Sequence, residues 1–120
     1  MQTKLKLYLA RTLVQQCVAH WERMRDNPFG EEAPFASECS CCCYYEGCTE
    51  CPIARYVGLR FCQQTPFNRA YAIWVEMQNN PDLKSEWQAA AQEEIDFLRR
   101  VEASVDKELA GLIEEMKGTA

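Results

Sequence analysis

The chain has 120 residues, 48% of them hydrophobic, and a formal net charge of −5. That length fits one domain and that apolar share supports a buried core, which excludes a disordered tail. The acidic balance argues against nonspecific binding to a phosphate backbone, since Lys and Arg supply that affinity.

The N-terminus, with Lys4 and Lys6 ahead of an apolar run, has the start of a signal peptide. Arg11 cuts the run short and no small-residue cleavage site follows. No stretch of roughly 18 residues is free of charge, so no transmembrane helix is expected. These features point to the cytoplasm and away from a membrane.

The first predicted element is a helix within residues 1–27. Leu5, Leu9, Leu13, Cys17, Trp21 and Met24 recur at helical spacing, and Leu7, Val14 and Val18 widen the stripe. Asn27-Pro28 ends it, because the residue before proline avoids the α region. Residues 28–65 read as a loop and a metal lobe. Within them, Pro52 to Val57 is expected to make one helical turn, stopped by Gly58. Thr65-Pro66 resembles an N-cap with proline at the first helical position. A second helix over 66–79 then turns Ala70, Ile73, Trp74 and Met77 inward. Asn79-Asn80-Pro81 breaks it and starts a long helix over 81–117.

That last helix carries the charge deficit: ten acids against five bases between residues 82 and 117, while the first 81 residues balance. Glu93, Glu94 and Asp96 read as a solvated face. Ala91, Ile95, Leu98, Val105, Leu109, Leu112 and Met116 fall near a heptad seam, with Glu102 at a seam position to limit register. At about 1.5 Å per residue such a helix spans roughly 50 Å. A compact chain of this length is only about 27–35 Å across. Two outcomes are expected: a break near Gly111, or an end that buries Leu109, Leu112, Ile113 and Met116 against a second copy or a partner protein.

The eight cysteines carry the chemistry. In a reducing compartment a Cys cluster is more often a metal site than a disulfide framework. Cys41, Cys42 and Cys43 are consecutive, which suits disulfide geometry poorly. Cys39-x-x-Cys42 and Cys48-x-x-Cys51 offer four thiolates to one tetrahedral Zn2+, and Gly47 can supply a positive φ at the bend. Cys41, Cys43, Cys62 and His20 are alternate ligands. The plainer reading of His20 is a partly buried helix residue beside Trp21, and that of Cys17 is a small core residue. Thiolates also hold Fe–S clusters, although the ferredoxin run C-x2-C-x2-C-x3-C-P is not matched.

Tyr44, Tyr45, Arg55, Arg60 and Arg69, with Tyr56 and Phe61, interleave aromatics and guanidinium groups near the cysteines. They are candidate nucleic-acid contacts, or else they cover and solvate the metal lobe. No phosphate loop, nucleophile elbow or H-E-x-x-H is present.

The order Cys39, Cys42, Cys48, Cys51-Pro52, Cys62, Thr65-Pro66-Phe67 resembles small cysteine-rich proteins encoded by phages and prophages. His20-Trp21-Glu22 and Ala90-Ala91-x-x-Glu94-Ile95-x-Phe97-Leu98 extend the resemblance over most of residues 20–98. It departs at Cys41, at Cys43 and in the tail after about residue 100. It implies a phage or prophage origin and no specific chemistry.

The expectation is a mainly α, small helical domain of three main helices with an inserted zinc knuckle. Its expected function is non-enzymatic: one zinc per chain, and binding to a host or phage protein in counter-defence or host takeover. A nucleic-acid or nucleotide binder and a redox or Fe–S protein are the alternatives.

Overall fold

A computed structural model describes residues 2–35, 52–57 and 66–118. The described residues form four helices and a 3-10 turn: α1 (Gln2–Asp26), α2 (Pro52–Val57), α3 (Phe67–Met77), the turn Pro81–Leu83, and α4 (Lys84–Gly118). The fold is mainly α, with three main helices, and no strand occurs among the described residues.

The helix ends follow from local chemistry. Arg23 and Arg25 occupy the last turn of α1, where cations oppose the helix dipole. At the start of the 3-10 turn, the Asn80 side chain accepts from the Asp82 backbone N–H (3.3 Å), with Pro81 just inside. From Lys84 the chain runs helical for 35 residues. Gly111 does not break it, and a methyl group there would meet nothing within 4 Å.

The two long helices lie antiparallel. Arg11 reaches Asp106 (3.6 Å), Gln15 donates to Glu102 (2.8 Å) and Arg25 donates to Gln92 (2.6 Å). Numbers rise along α1 as they fall along α4. The helix α3 packs on the head of this pair through Ala70 and Met77, both fully buried, and Arg69 bridges to Glu93 at 2.7 Å.

The main core is built at that end. Trp87 is fully buried between α1 and α3, with Trp21 at 5.8 Å and its indole N–H directed at the Met24 carbonyl (3.4 Å). Leu13, Val14, Cys17, Val18 and Met24 of α1, Ile53 of α2, and Ala90, Ala91, Ile95, Phe97, Leu98 and Val101 of α4 join it. Cys17 is thus a small core residue. A second, smaller cluster joins Leu7 and Ala10 to Val105 and Leu109 nearer the other end.

Three expectations change here. The buried stripe of α1 runs through Leu7, Ala10, Val14, Cys17, Trp21 and Met24, and Leu5 is 67% exposed. Steps of four shift a side chain about 40° per step, so counting back from buried Leu13 the series passes partly buried Leu9 and reaches exposed Leu5. On α4 the seam takes Val101, fully buried, while Glu102 sits at its edge beside Gln15. The long helix neither breaks nor projects alone, because α1 runs beside it. The molecule measures 60 × 24 × 22 Å, so the compact globule assumed from length does not form.

Candidate functional site

Cys39, Cys41, Cys42, Cys43, Cys48, Cys51 and Cys62 lie outside the described residues, as do Tyr44, Tyr45 and Arg60. Arg55 lies on α2, and its side chain is likewise outside them. What the structure does place is the frame on both sides of the cysteine segment.

On the entry side the loop after α1 is tied back to the helix. The Asn27 carbonyl accepts from the Gly30 N–H (3.0 Å), closing a turn. Buried His20 donates from Nε2 to the Ala33 carbonyl (3.2 Å), and its Nδ1 stands 3.7 Å from the Glu32 carboxylate. Arg23 holds the same carboxylate through Nε at 2.9 and 3.0 Å. Ala33 and Pro34 are buried as a result. His20 therefore serves as the loop's anchor. Its place as an alternate metal ligand would fall to Nδ1, and the cysteines it would join lie outside the described residues. Among the described residues no three His, Cys, Asp or Glu side chains come together as a metal site.

On the exit side α2 lies across α4. Ile53 is buried in the main core and Tyr56 meets the Phe97 ring edge-on at 5.8 Å. A small cavity of about 80 Å³ lies between the two helices, lined by Pro52, Tyr56, Val101, Ser104, Val105 and Glu108. The chain thus enters the cysteine segment from one docked point and leaves it at another.

Beside the entry point stands a row of aromatic rings that the sequence pattern does not single out as a surface. Phe67, Tyr71 and Trp74 are spaced four and three apart, hence on one flank of α3. Phe67 stacks on Tyr71 at 5.8 Å and Tyr71 on Trp74 at 6.4 Å. Phe35 sets its ring against Trp74 (5.3 Å) and Tyr71 (6.2 Å). Tyr71 and Trp74 are half-buried, while Phe35 and the adjacent Val75 are 42% and 44% exposed. Ile73 and Trp74, expected to face inward, touch the core only in part. The aromatic i, i+4, i+7 spacing is the signal that could have found the row.

Other candidates fall differently. Arg69 donates to both oxygens of Glu93 at 2.8 and 2.7 Å, an exposed pair at the surface. Glu94, expected on a solvated face with Glu93 and Asp96, is only 3% exposed, whereas its two neighbours are exposed. Its position follows from the seam: Glu94 lies three residues after Ala91 and four before Leu98, both buried.

Of the four residues expected to need a second chain, Leu109 does not. It is 3% exposed against Leu7 and Ala10 of α1. Leu112 and Ile113 are half-buried at the edge of that cluster, and Met116 is 42% exposed. A polar cleft of about 550 Å³ beside the loop is lined by Arg23, Asp26, Asn27, Gly30, Glu31 and Glu32.

Comparison with known proteins adds no relative: no protein-family model, curated protein or solved structure matches the chain. No described helix is long and apolar enough to cross a membrane.

Proposed function

We propose that this chain is a non-enzymatic binding module in which a helical frame presents a zinc-pinned cysteine segment and an aromatic ledge to another protein. The observation that carries the reading is the ledge. Phe35, Tyr71 and Trp74 form a contiguous, partly exposed aromatic surface beside the point where the chain enters the cysteine segment, and exposed Val75 follows Trp74 on the same helix. Trp and Tyr are enriched among the residues that dominate binding energy in protein interfaces, and exposed apolar patches mark such interfaces.

The zinc belongs to the proposal through the sequence. Cys39, Cys42, Cys48 and Cys51 are the ligand set, and Pro52 begins the docked helix that follows. One Zn2+ would close the segment between its two anchored ends, and the ion's part is structural. The resemblance to phage and prophage proteins makes a host or phage protein in the cytoplasm the proposed partner, and counter-defence or host takeover the proposed setting.

The test uses the full chain. A tagged copy expressed in its host should retain one protein in stoichiometric amount, and the same complex should re-form from purified components. Phe35→Ala with Val75→Asp should weaken that complex at least about tenfold, or 1.4 kcal/mol, with helicity and melting unchanged. Equal affinity for parent and variant removes the ledge from the function.

A further inference from the structure

The flank of α3 that forms the ledge is uncharged. Tyr71, Trp74 and Gln78 follow one another at steps of three and four, and Asn68 lies three before Tyr71, so all four share one flank of α3 and its C-cap. Tyr71 and Trp74 are half-buried there, while Asn68 and Gln78 are exposed. The charged residues of α3 are Arg69 and Glu76, and both lie elsewhere. Arg69 is two residues before Tyr71 and Glu76 two after Trp74, about 200° around the helix in each case. Arg69 is also taken up by Glu93. The flank is therefore aromatic, with an amide border.

Two hydrogen-bond donors stand on this flank. Among the described residues the Tyr71 hydroxyl and the Trp74 indole N–H donate to no protein acceptor, and neither atom is closed off from solvent. The interior Trp87 differs, since its indole N–H is directed at the Met24 carbonyl. The ledge thus offers flat apolar rings together with two donors open to a ligand. An irregular segment of the chain itself already reaches its rim. Residues 32–35 have no regular structure, Pro34 is fully buried, and Phe35 sets its ring edge-on to Trp74 at 5.3 Å.

We infer that the ledge takes an extended, proline-rich peptide in the polyproline II conformation. This rests on the ledge being the binding surface, and it names the class of segment bound there. Polyproline II makes no internal hydrogen bonds, so its carbonyls are bare acceptors for the Tyr71 hydroxyl and the Trp74 indole. Proline has no N–H, so such a peptide brings few donors that would be stranded against aromatic rings. Aromatic-lined surfaces are a recurrent seat for these segments, which lose little entropy because their conformation is preformed. An uncharged flank also matches an uncharged ligand. A helical ligand fits less well, because its carbonyls are committed within the helix. A strand needs an unpaired sheet edge, and the described residues contain no strand.

The experiment is an NMR titration of the isotope-labelled full chain. One probe is a blocked proline homopolymer of about ten residues, roughly three turns of polyproline II; the other is a blocked alanine-rich helical peptide of the same length. The signal is the Trp74 indole N–H resonance, assigned with Trp74→Phe. The proline peptide should move it saturably at sub-millimolar concentration, and the helical peptide should leave it in place. Tyr71→Phe removes only the hydroxyl. It should weaken proline-peptide binding about two- to tenfold, the worth of one hydrogen bond, with the helicity of the parent by circular dichroism. Equal affinity for Tyr71→Phe and parent overturns the inference, and so does a resonance moved by the helical peptide alone. A resonance that neither peptide moves overturns it too, while the comparison of the parent with Phe35→Ala, Val75→Asp decides separately whether the ledge binds a partner at all.

Discussion

Arg25 closes the last turn of α1 with its Nε on the Asp26 carboxylate at 2.9 Å. That hydrogen bond holds Asp26 below the ordinary carboxylate range and raises Arg25 in turn; the slight desolvation of each works against its shift. Because the folded value of Asp26 is depressed, its contribution to stability is present above the unfolded value. It is lost as pH falls through the folded one. The pair is on the surface, so its energetic weight is small. A carboxyl titration by NMR should give Asp26 a lower midpoint than in the urea-unfolded chain, and Arg25→Gln should move it back. Identical midpoints in the folded and unfolded chains would show that the pair does not form. Other single residues place the loop. The hold of His20 on Ala33 and of Arg23 on Glu32 fixes the path from α1 to Phe35, and through Phe35 to the ledge.

At the scale of elements, α4 is the spine on which α1, α2 and α3 all pack. Its continuity through Gly111 gives a direct test. Glycine inside a helix is less favourable than alanine by about 1 kcal/mol, and here the added methyl group meets no neighbour within 4 Å. Gly111→Ala should therefore raise the free energy of urea unfolding by about 1 kcal/mol. A loss of stability would mean that the chain needs glycine there and that the helix is interrupted. The helices themselves are legible from periodicity, since Trp87, Ala91, Ile95 and Leu98 repeat at the spacing of a buried face and proline marks both breaks. Which element covers which face is not legible. Leu5 and Leu7 both fit an apolar stripe, and only the antiparallel course of α4 decides that Leu7 is buried. The same holds for Glu94. A carboxylate reads as solvated until its neighbours on the seam are known to be interior. The ledge is hidden in the sequence because Trp74 fits an inward pattern, and its partial exposure depends on how far α3 sinks between α1 and α4.

At the scale of the whole molecule, the Cα radius of gyration is 16.0 Å, against about 13.6 Å for a compact chain of this length. Length predicts compactness only when elements fold back on themselves, and one helix of 35 residues sets the long axis of this chain. The elongation separates two regions of different character. The head carries the aromatic ledge and both anchor points of the cysteine segment, while the tail is a charged two-helix stalk. In the proposed module, zinc joins the anchors at the head into one rigid face. Structural zinc contributes about 10–16 kcal/mol in small peptides, comparable to the stability of a whole domain at about 5–15 kcal/mol. The most direct measurement is metal content by elemental analysis, with thiol counting by mass spectrometry, on protein purified from freshly lysed cells. A zinc-pinned segment predicts one zinc per chain, lost on Cys39→Ser or Cys51→Ser and retained on Cys17→Ser. Protein with no zinc and with its cysteines in disulfides, or protein carrying iron and sulfide in place of zinc, would contradict it.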